Sequence, residues 1–443
     1  MTERNARRGG RPGAPERADT DQVRRQNRSL VLSTVRRRAP IARVDLGTAT
    51  RLSPATITAI TADLISEGLI SAVTVEHAPR APEADGEPPA PSVRGRPRIL
   101  LQLNAEVAYV LAVKVAFNKI VLVVADYEGT VIARREESPP TLRETRASFP
   151  RLLVALIHDF LAAEKVPLRR VAEIGIAAQG FVDQNTGSVV WSPAFSERDI
   201  ELVRPVRRAF GIPCFITNDA NMIAQALHWA DPVVYGGTFA VIFVDYGVGL
   251  GLFVGDKLHA GADGSAAEIG HMNHIPGGPL CRCGRRGCLE AFVADYAIWR
   301  EASAMSPDTD PADARPSAAD LLALEAAAKA GDARIAGIYH DAGRALGYGI
   351  ARLMALVNPG RIVFTGASTR AFPLIEAAMH EGIADALVED LRRNTIFQTL
   401  PWDQDMIITG LIADALARLD SEVFAATDIT RRTEIELPRE ERA

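Results

Sequence analysis

Three of the chain's four cysteines fall in one ten-residue stretch, Cys281 to Glu290, which reads CRCGRRGCLE. Cys281 and Cys283 are too close in sequence for an ordinary disulfide. Any single bridge would also leave an odd thiol. His271 extends the pattern to H-x9-C-x-C-x4-C, one imidazole with three potential thiolates on Cys281, Cys283 and Cys288. That donor set suits tetrahedral zinc, and a closed site with four protein ligands is structural rather than catalytic. Gly284 and Gly287 let the backbone turn around an ion. On the residues alone, a redox pair and free surface thiols remain competing readings. Cys214 lies in a strand pattern and reads as core.

Composition narrows the setting. A chain of 443 residues has room for two or three domains. Its 47% hydrophobic and 24% charged residues describe an ordinary globular protein. Four cysteines in this length argue against a secreted disulfide scaffold. No apolar run is long enough to span a bilayer, and MTERNARRGGRPGAPERADT lacks the apolar core of a signal peptide. The expectation is a cytoplasmic protein with no membrane partner. The net charge of −5 hides an asymmetry. Residues 1–103 hold 17 Arg, no Lys and 11 acidic residues, a net of +6, which leaves −11 for the rest. A basic head on an acidic body points to an anionic partner, nucleic acid first, with a solvated basic tail as the competing reading.

Residues 1–20 are rich in Arg, Gly and Pro and read as a disordered tail. Helical periodicity starts near Asp21, with Val23, Asn27, Leu30, Val31, Thr34 and Val35 on one face, and breaks at Ala39–Pro40. Ile41 to Thr48 read as a second helix. Ser53 and Pro54 open a third, as N-cap and first helical residue. Ile57, Ile60 and Leu64 form its buried stripe, and Gly68 stops it. This is a helix-turn-helix pattern. Ala55, Thr56, Thr58, Ala59 and Ala62 give the last helix a small, hydroxylated outer face that allows close approach to base edges and phosphates. Taken alone, a small helical bundle would explain the pattern as well. The flanks favour a wing: LISAVTVEHA and RGRPRILLQLN read as strands, with Arg94, Arg96 and Arg98 at the hairpin tip. An arginine-rich tip suits a narrow minor groove. Ser53, Ala55, Thr56, Thr58, Arg94, Arg96 and Arg98 are the candidate DNA contacts.

From Tyr109 the pattern alternates strand runs and helices, and a second such set begins at TFAVIFVDYGVGLGLF. Two successive units predict a two-lobed α/β body with a cleft between the lobes.

Three segments carry a resemblance. AAEIGHMNHIPGGPLCRCGRRGCLE resembles the signature of the ROK family, which unites sugar-dependent repressors, uncharacterised reading frames and sugar kinases. FGIPCFITNDANMIA and GIAAQGFVDQNTGSVVWSP resemble other segments of that family. The likeness spans residues 21–425. It implies an actin-like, hexokinase-type (ribonuclease H-like) body behind a winged helix-turn-helix. It also implies structural Zn2+ on His271, Cys281, Cys283 and Cys288. The family's sugar ligands map onto Asn218, Asp219, Glu268, His271 and Glu290, and in its kinases the Asp matching Asp219 is the general base. Two departures stand against kinase activity. The kinases' D-x-G-G-T turn corresponds to VKVAFNKI, 113–120, which has no Gly, Asp or Thr. Their G-T-G-x-G-G-G turn corresponds to DYGVGLG, 245–251, with Tyr246 in the threonine's place. Phosphoryl transfer depends on positioning and charge stabilisation, and both phosphate grips are altered.

The expected organisation is a tail over 1–20, a winged helix-turn-helix over 21–103, a first lobe over 104–230, a second lobe with the zinc loop over 231–425 and a tail over 426–443. The expected function is a sugar-responsive, DNA-binding repressor that is not an enzyme. Operator DNA and a small sugar or sugar derivative are its expected partners. Paired half-sites require a homodimer or homotetramer. The alternatives are an active ATP-dependent sugar kinase carrying a DNA-binding head, and a sugar-binding protein whose head binds protein.

Overall fold

The computed structural model describes residues 20–74 and 99–425. By their internal contacts the described residues divide into two units, 20–104 with 417–425, and 105–416. Residues 417–425, expected as the end of the second lobe, thus group with the N-terminal unit.

That unit is a winged helix-turn-helix of α1 (Thr20–Arg38), α2 (Arg43–Thr50) and α3 (Pro54–Ser66) with β1 (Ile41–Ala42), β2 (Ile70–Thr74) and β3 (Ile99–Leu103). Ser53 starts α3: its Oγ accepts the Thr56 N–H at 3.1 Å, and Pro54 follows where no N–H is needed. Ile57, Ile60 and Leu64 are buried along one stripe. β3 lies between β1 and β2, antiparallel to both, with Leu101 opposite Ile41 and Leu103 opposite Ile70.

Two expectations change here. Ile41 and Ala42, expected to open a helix, pair with Leu101 and Leu100 instead, so α2 begins only at Arg43. The buried stripe of α1 is Arg28, Val31, Leu32 and Val35, whereas Val23 and Leu30 are each 41% exposed. Arg28 enters the interior because its partners are there. Its Nε donates to the Phe424 carbonyl at 2.6 Å, and its guanidinium pairs with Glu67. Arg36 grips Asp420 at two points, 3.0 and 2.8 Å, with both side chains almost fully buried. Buried charges need such partners. The turn Leu419–Val423 is thereby fastened to α1.

The other unit holds two five-stranded sheets built on one scheme. In the first, β4 (Tyr109–Ala116), β5 (Lys119–Ala125) and β6 (Val131–Glu137) form an antiparallel meander, to which β7 (Val171–Ala178) adds in parallel. A small sheet of β8 (Phe181–Asp183), β9 (Ser188–Trp191) and β10 (Ile200–Glu201) follows, and β11 (Cys214–Asn218) completes the order β11-β7-β4-β5-β6. In the second, β12 (Phe239–Val244), β13 (Val248–Val254) and β14 (Lys257–Leu258) repeat the meander. β15 (Arg361–Thr365) and β16 (Ile396–Thr399) repeat the parallel additions, giving β14-β13-β12-β15-β16. Helices α4 (Phe149–Ala163) and α5 (Val203–Phe210) supply the first core, where Phe149, Leu153, Ile157, Phe160 and Val206 are buried with β4 and β7. α6 (Asp219–Ala230) begins at the end of β11; seven of its first eight residues are buried, and it packs most closely on β13 and β12. Beyond the cysteine loop come α7 (Glu290–Val293), α8 (Asp295–Ala302), α9 (Ala318–Lys329), α10 (Ala333–Val357), α11 (Phe372–Ala386) and α12 (Met406–Arg418). Tyr296, Leu346, Ile350 and Met379 lie in the second core with β12 and β15. Cys214, at the start of β11, is half-buried and packs against the first core. No helix among the described residues is long and apolar enough to cross a membrane.

Candidate functional site

The cleft lies off the C-terminal ends of β7, β11 and β12, where ligands of parallel sheets bind. Its lining includes Gln179 and Gly180 after β7, Asn218 and Asp219 at the junction of β11 and α6, and Asp245 after β12. Glu268, His271, Arg282 and Glu290 face it from the cysteine loop and its flanks.

The loop brings His271, Cys281, Cys283 and Cys288 together, with their ligand atoms all within 4.8 Å of one another. Cys283 and Cys288 Sγ are 3.7 Å apart, and His271 Nδ1 is 3.6 Å from Cys281 Sγ. Tetrahedral zinc with sulfurs at about 2.3 Å would set its sulfurs about 3.8 Å apart. The cluster therefore has the spacing and the donor set of a tetrahedral metal site. Nδ1 faces the sulfurs, while Nε2 lies 3.9 Å from a Glu290 carboxylate oxygen. Phe181 and Trp191 meet the imidazole edge-on at 4.9 and 5.6 Å and fix its plane.

The five candidate sugar residues converge on this cleft but differ in freedom. Asn218 caps α6: its Oδ1 accepts the Ala220 N–H at 2.8 Å, and its Nδ2 donates to the Gly180 carbonyl at 2.7 Å. Glu290 accepts the Val248 N–H at 3.3 Å and the Tyr296 hydroxyl at 3.4 Å. Both are partly committed to holding the cleft's walls. Asp219 accepts only the Ala220 N–H, through Oδ1 at 2.9 Å, among the described residues. Burial pushes its carboxyl up to about 6, against the pull of Lys114. Burial also pushes Glu268 up to about 7, with His271 pulling down and Asp219 and Glu290 pushing up. Asp219 and Glu268 are the carboxyls with acceptor capacity left for a ligand.

Of the two turns that the sequence marked as altered, the second lines the cleft through Asp245, Gly247, Val248 and Gly249. In the first, the Phe117 ring is covered by the Arg315 guanidinium at 4.6 Å, and Asn118 is tied to Thr141 through its own N–H at 3.0 Å. In the second, Tyr246 O–H donates to the Pro316 carbonyl at 3.4 Å. The glycines of this turn have packing roles. A Cβ on Gly251 would lie 2.4 Å from the Ala220 carbonyl of α6, and one on Gly247 would lie 2.7 Å from Glu290 Oε2.

Sequence reasoning missed Trp191, Asp245 and Arg282 as parts of the site. Arg282 sits between the Tyr246 and Tyr296 rings at 5.4 and 4.9 Å. Its place between two candidate metal ligands was the available signal. Asp245 is raised by burial and pulled back by its bond from the Tyr246 N–H and by Arg282, Arg370 and Lys114.

On the head, Ala55 and Thr58 are exposed and Thr56 half-buried on the outer face of α3. Ser53 Oγ is engaged as the cap, and Thr58 Oγ1 donates to the Pro54 carbonyl at 2.8 Å. Ser53 is therefore placed to shape α3 more than to read a base. Arg94, Arg96 and Arg98 lie outside the described residues.

The pattern of the ROK family matches residues 110–411. An N-acetylglucosamine repressor of Escherichia coli O6:H1 is 25% identical over 382 residues, 86% of this chain and 90% of that protein. A xylose repressor of Caldicellulosiruptor bescii is 28% identical over 274 residues, 61% of this chain but only 64% of its own length. Among solved structures, a ROK family transcriptional regulator described as a homologue of the E. coli MLC protein superposes with a TM-score of 0.73 at 25% identity, covering 91% of this chain and 99% of that one. A ROK hexokinase from Thermus thermophilus superposes with a TM-score of 0.55 at 25% identity, covering 70% and 97%.

Proposed function

The chain belongs to the ROK family, and from that premise we propose that it is a sugar-responsive, DNA-binding transcriptional repressor. Its winged head would bind operator DNA, and its hexokinase-type body would sense a carbohydrate. The observation that carries this reading is an exposed α3 on a winged head together with a cleft lined by carboxyls that can hold a sugar. Asp219 and Glu268 have free carboxylate oxygens, while Phe117 under Arg315 and Tyr246 bonded to Pro316 stand in the turns where phosphates would have to approach. Carboxylates take strong, two-point hydrogen bonds from neighbouring hydroxyls. The N-acetylglucosamine and xylose repressors, each similar to this chain, support the same reading.

Zinc would be held by Nδ1 of His271 and the sulfurs of Cys281, Cys283 and Cys288. It would supply no reaction chemistry; it would fix the loop. A metal on Nδ1 leaves Nε2 of His271 to face Glu290 and the ligand, so the loop's fold would set the sugar's orientation. Two heads on a paired operator require a symmetric homodimer or homotetramer. Such a regulator would work in the cytoplasm.

The test is a DNA titration using fragments selected from random sequence, with and without each of a panel of sugars. Binding should be steeply salt-dependent, since arginine–phosphate contacts release counterions. Replacing Arg94, Arg96 and Arg98 together should weaken all sequences alike, whereas Ala55 and Thr56 variants should change preference. No sequence-selective binding would overturn the proposal. The alternative, a working sugar kinase with a DNA-binding head, rests on Asp219, whose carboxyl is free to take a hydroxyl proton. The two readings part on ATP turnover: kinases run at about 1–100 per second.

A further inference from the structure

We infer that α12 carries the sugar response into the DNA-binding head, with Asp420 and Arg36 as the positioning residues through which it acts. The inference rests on the sugar-responsive reading above and names how that site would be coupled to DNA.

The chain passes between the two units at two places, 104–105 and 416–417. The first lies between β3 and β4, outside any helix. The second lies inside α12, which runs to Arg418 and continues directly into the turn Leu419–Val423. A loop absorbs a shift in its own backbone angles, whereas a helix passes it on.

In the larger unit, α12 packs on two elements that end at the cleft. A Cβ on Gly410 would overlap the Met222 carbonyl of α6, and one on Gly175 of β7 would lie 2.9 Å from the Leu411 side chain. α6 opens with Asp219, and β7 leads into Gln179 and Gly180, all three of which line the cleft. Packing this close leaves no slack, so a shift of α6 is felt by α12.

In the head unit, the end of that helix is held by charge. The Phe424 N–H bonds back five residues to the Leu419 carbonyl at 2.8 Å, which makes the last turn a wide one. Turns of that kind are rare and are frequent at functional sites. Arg36 of α1 grips both oxygens of Asp420 in this turn, and Arg28 of α1 joins the Phe424 carbonyl to Glu67, the residue that ends α3. Arg24 with Asp63, at 2.8 Å, is a further tie between α1 and α3. The helix whose outer face would read DNA is therefore bonded, through α1, to the turn that ends α12. A buried ion pair adds little stability over an apolar pair of similar volume. What two parallel charge-assisted bonds add is a fixed distance and angle. A sugar that binds better to one placement of α6 and β7 raises the population of that placement, and the Asp420 turn takes α1 with it.

The experiment uses the full chain with its metal and DNA fragments selected from random sequence. The probes are glucose, N-acetylglucosamine, their 6-phosphates and xylose. DNA titrations with and without each probe give the coupling factor, and calorimetry gives the sugar affinity. Arg36→Met combined with Asp420→Leu removes the bonds and leaves neither charge buried. In that variant, DNA affinity without sugar and sugar affinity without DNA should each stay within about threefold of the parent. The factor by which sugar changes DNA affinity, at least about tenfold in the parent, should fall to within about twofold of one. A factor that survives overturns the inference. So does loss of DNA binding by the folded variant, which would make the pair a fastening of the head alone, and so does loss of sugar affinity, which would make it a support of the cleft. If the variant does not fold, hydrogen exchange on the parent decides: sugar should change protection at residues 417–424 and along α1, and unchanged exchange there overturns the inference. A sugar that binds the parent without changing DNA affinity also overturns it, and leaves the carbohydrate site standing. No binding by any probe would remove the sugar reading itself, and this inference with it.

Discussion

The two sides of the cleft rest on one strand scheme used twice, and they have been furnished in opposite ways. On one side, α6 and the flank of the cysteine loop present carboxyls with acceptor capacity left: Asp219 keeps one oxygen free, and Glu268 sits half-buried near His271. On the other, the hairpin turns of both sheets are closed by the chain's own groups, Phe117 under Arg315 and Tyr246 against Pro316. On the proposed reading, the difference is that of a two-lobed body that keeps ligand positioning and gives up phosphate approach. The first depends on helix and loop termini braced by packing. The second depends on bare backbone N–H groups, and a single aromatic side chain covers those.

The largest effect should come from the braced side. Cys283→Ser with Cys288→Ser removes two of four ligands from a loop whose cysteines are among its few buried groups. Loss of a structural metal belongs with the most damaging single causes, above about 4 kcal/mol. Metal analysis should fall from one zinc per chain to none, and thermal unfolding should move down sharply. Full metal and full stability in the double variant would remove the metal from the comparison.

Glu268→Ala comes next. Its carboxylate makes no hydrogen bond among the described residues, so its loss should leave the fold intact. The variant should bind DNA as the parent does and ignore the sugar. If sugar changes DNA affinity a hundredfold in the parent, the coupling lost is about 2.7 kcal/mol. Linkage makes this reciprocal, so operator DNA should change sugar affinity by the same factor in the parent and not in the variant. A variant that still responds to sugar would place the effector elsewhere.

Much of this comparison was legible in the sequence, and what was not has one physical cause. Local spacing declared the cysteine loop and the Ser53 cap, because their partners lie within about twenty residues. Arg28 was left off the buried face of α1 because nothing near it announces Glu67, 39 positions away, or Phe424, 396 away. β1 was read as helix because two residues carry too little period to distinguish from their neighbours. The Gly-rich turn was the subtler case. It was read as the remnant of a phosphate grip, yet Gly251 is required by the close passage of α6.

Gly251→Ala sharpens that point. The added methyl would meet the Ala220 carbonyl at 2.4 Å and the Ala224 side chain at 2.8 Å, so α6 must shift. Overpacking of this kind costs about 1–3 kcal/mol. Because α6 begins with Asp219, the shift should also weaken sugar binding. Denaturant midpoint and sugar affinity should fall together; an unchanged midpoint would mean that the glycine is not there for the helix.

Arg315→Ala should have the smallest effect and the most discriminating one. A guanidinium over an aromatic ring at a partly exposed site contributes about 0.5–1 kcal/mol, so the denaturant midpoint should fall only slightly. What matters is the nucleotide side once Arg315 is gone. Phe117 remains, and the strand register that places it, Ala116 opposite Lys119, does not depend on Arg315. The segment 113–120 still offers no glycine to expose backbone N–H groups. Opening the cover should therefore not create nucleotide affinity: calorimetry with an ATP analogue should show no heat in parent or variant. Binding in the variant alone would mean that the turn beneath is a working phosphate site held shut by one arginine. The two sides of the cleft would then differ in access rather than in chemistry.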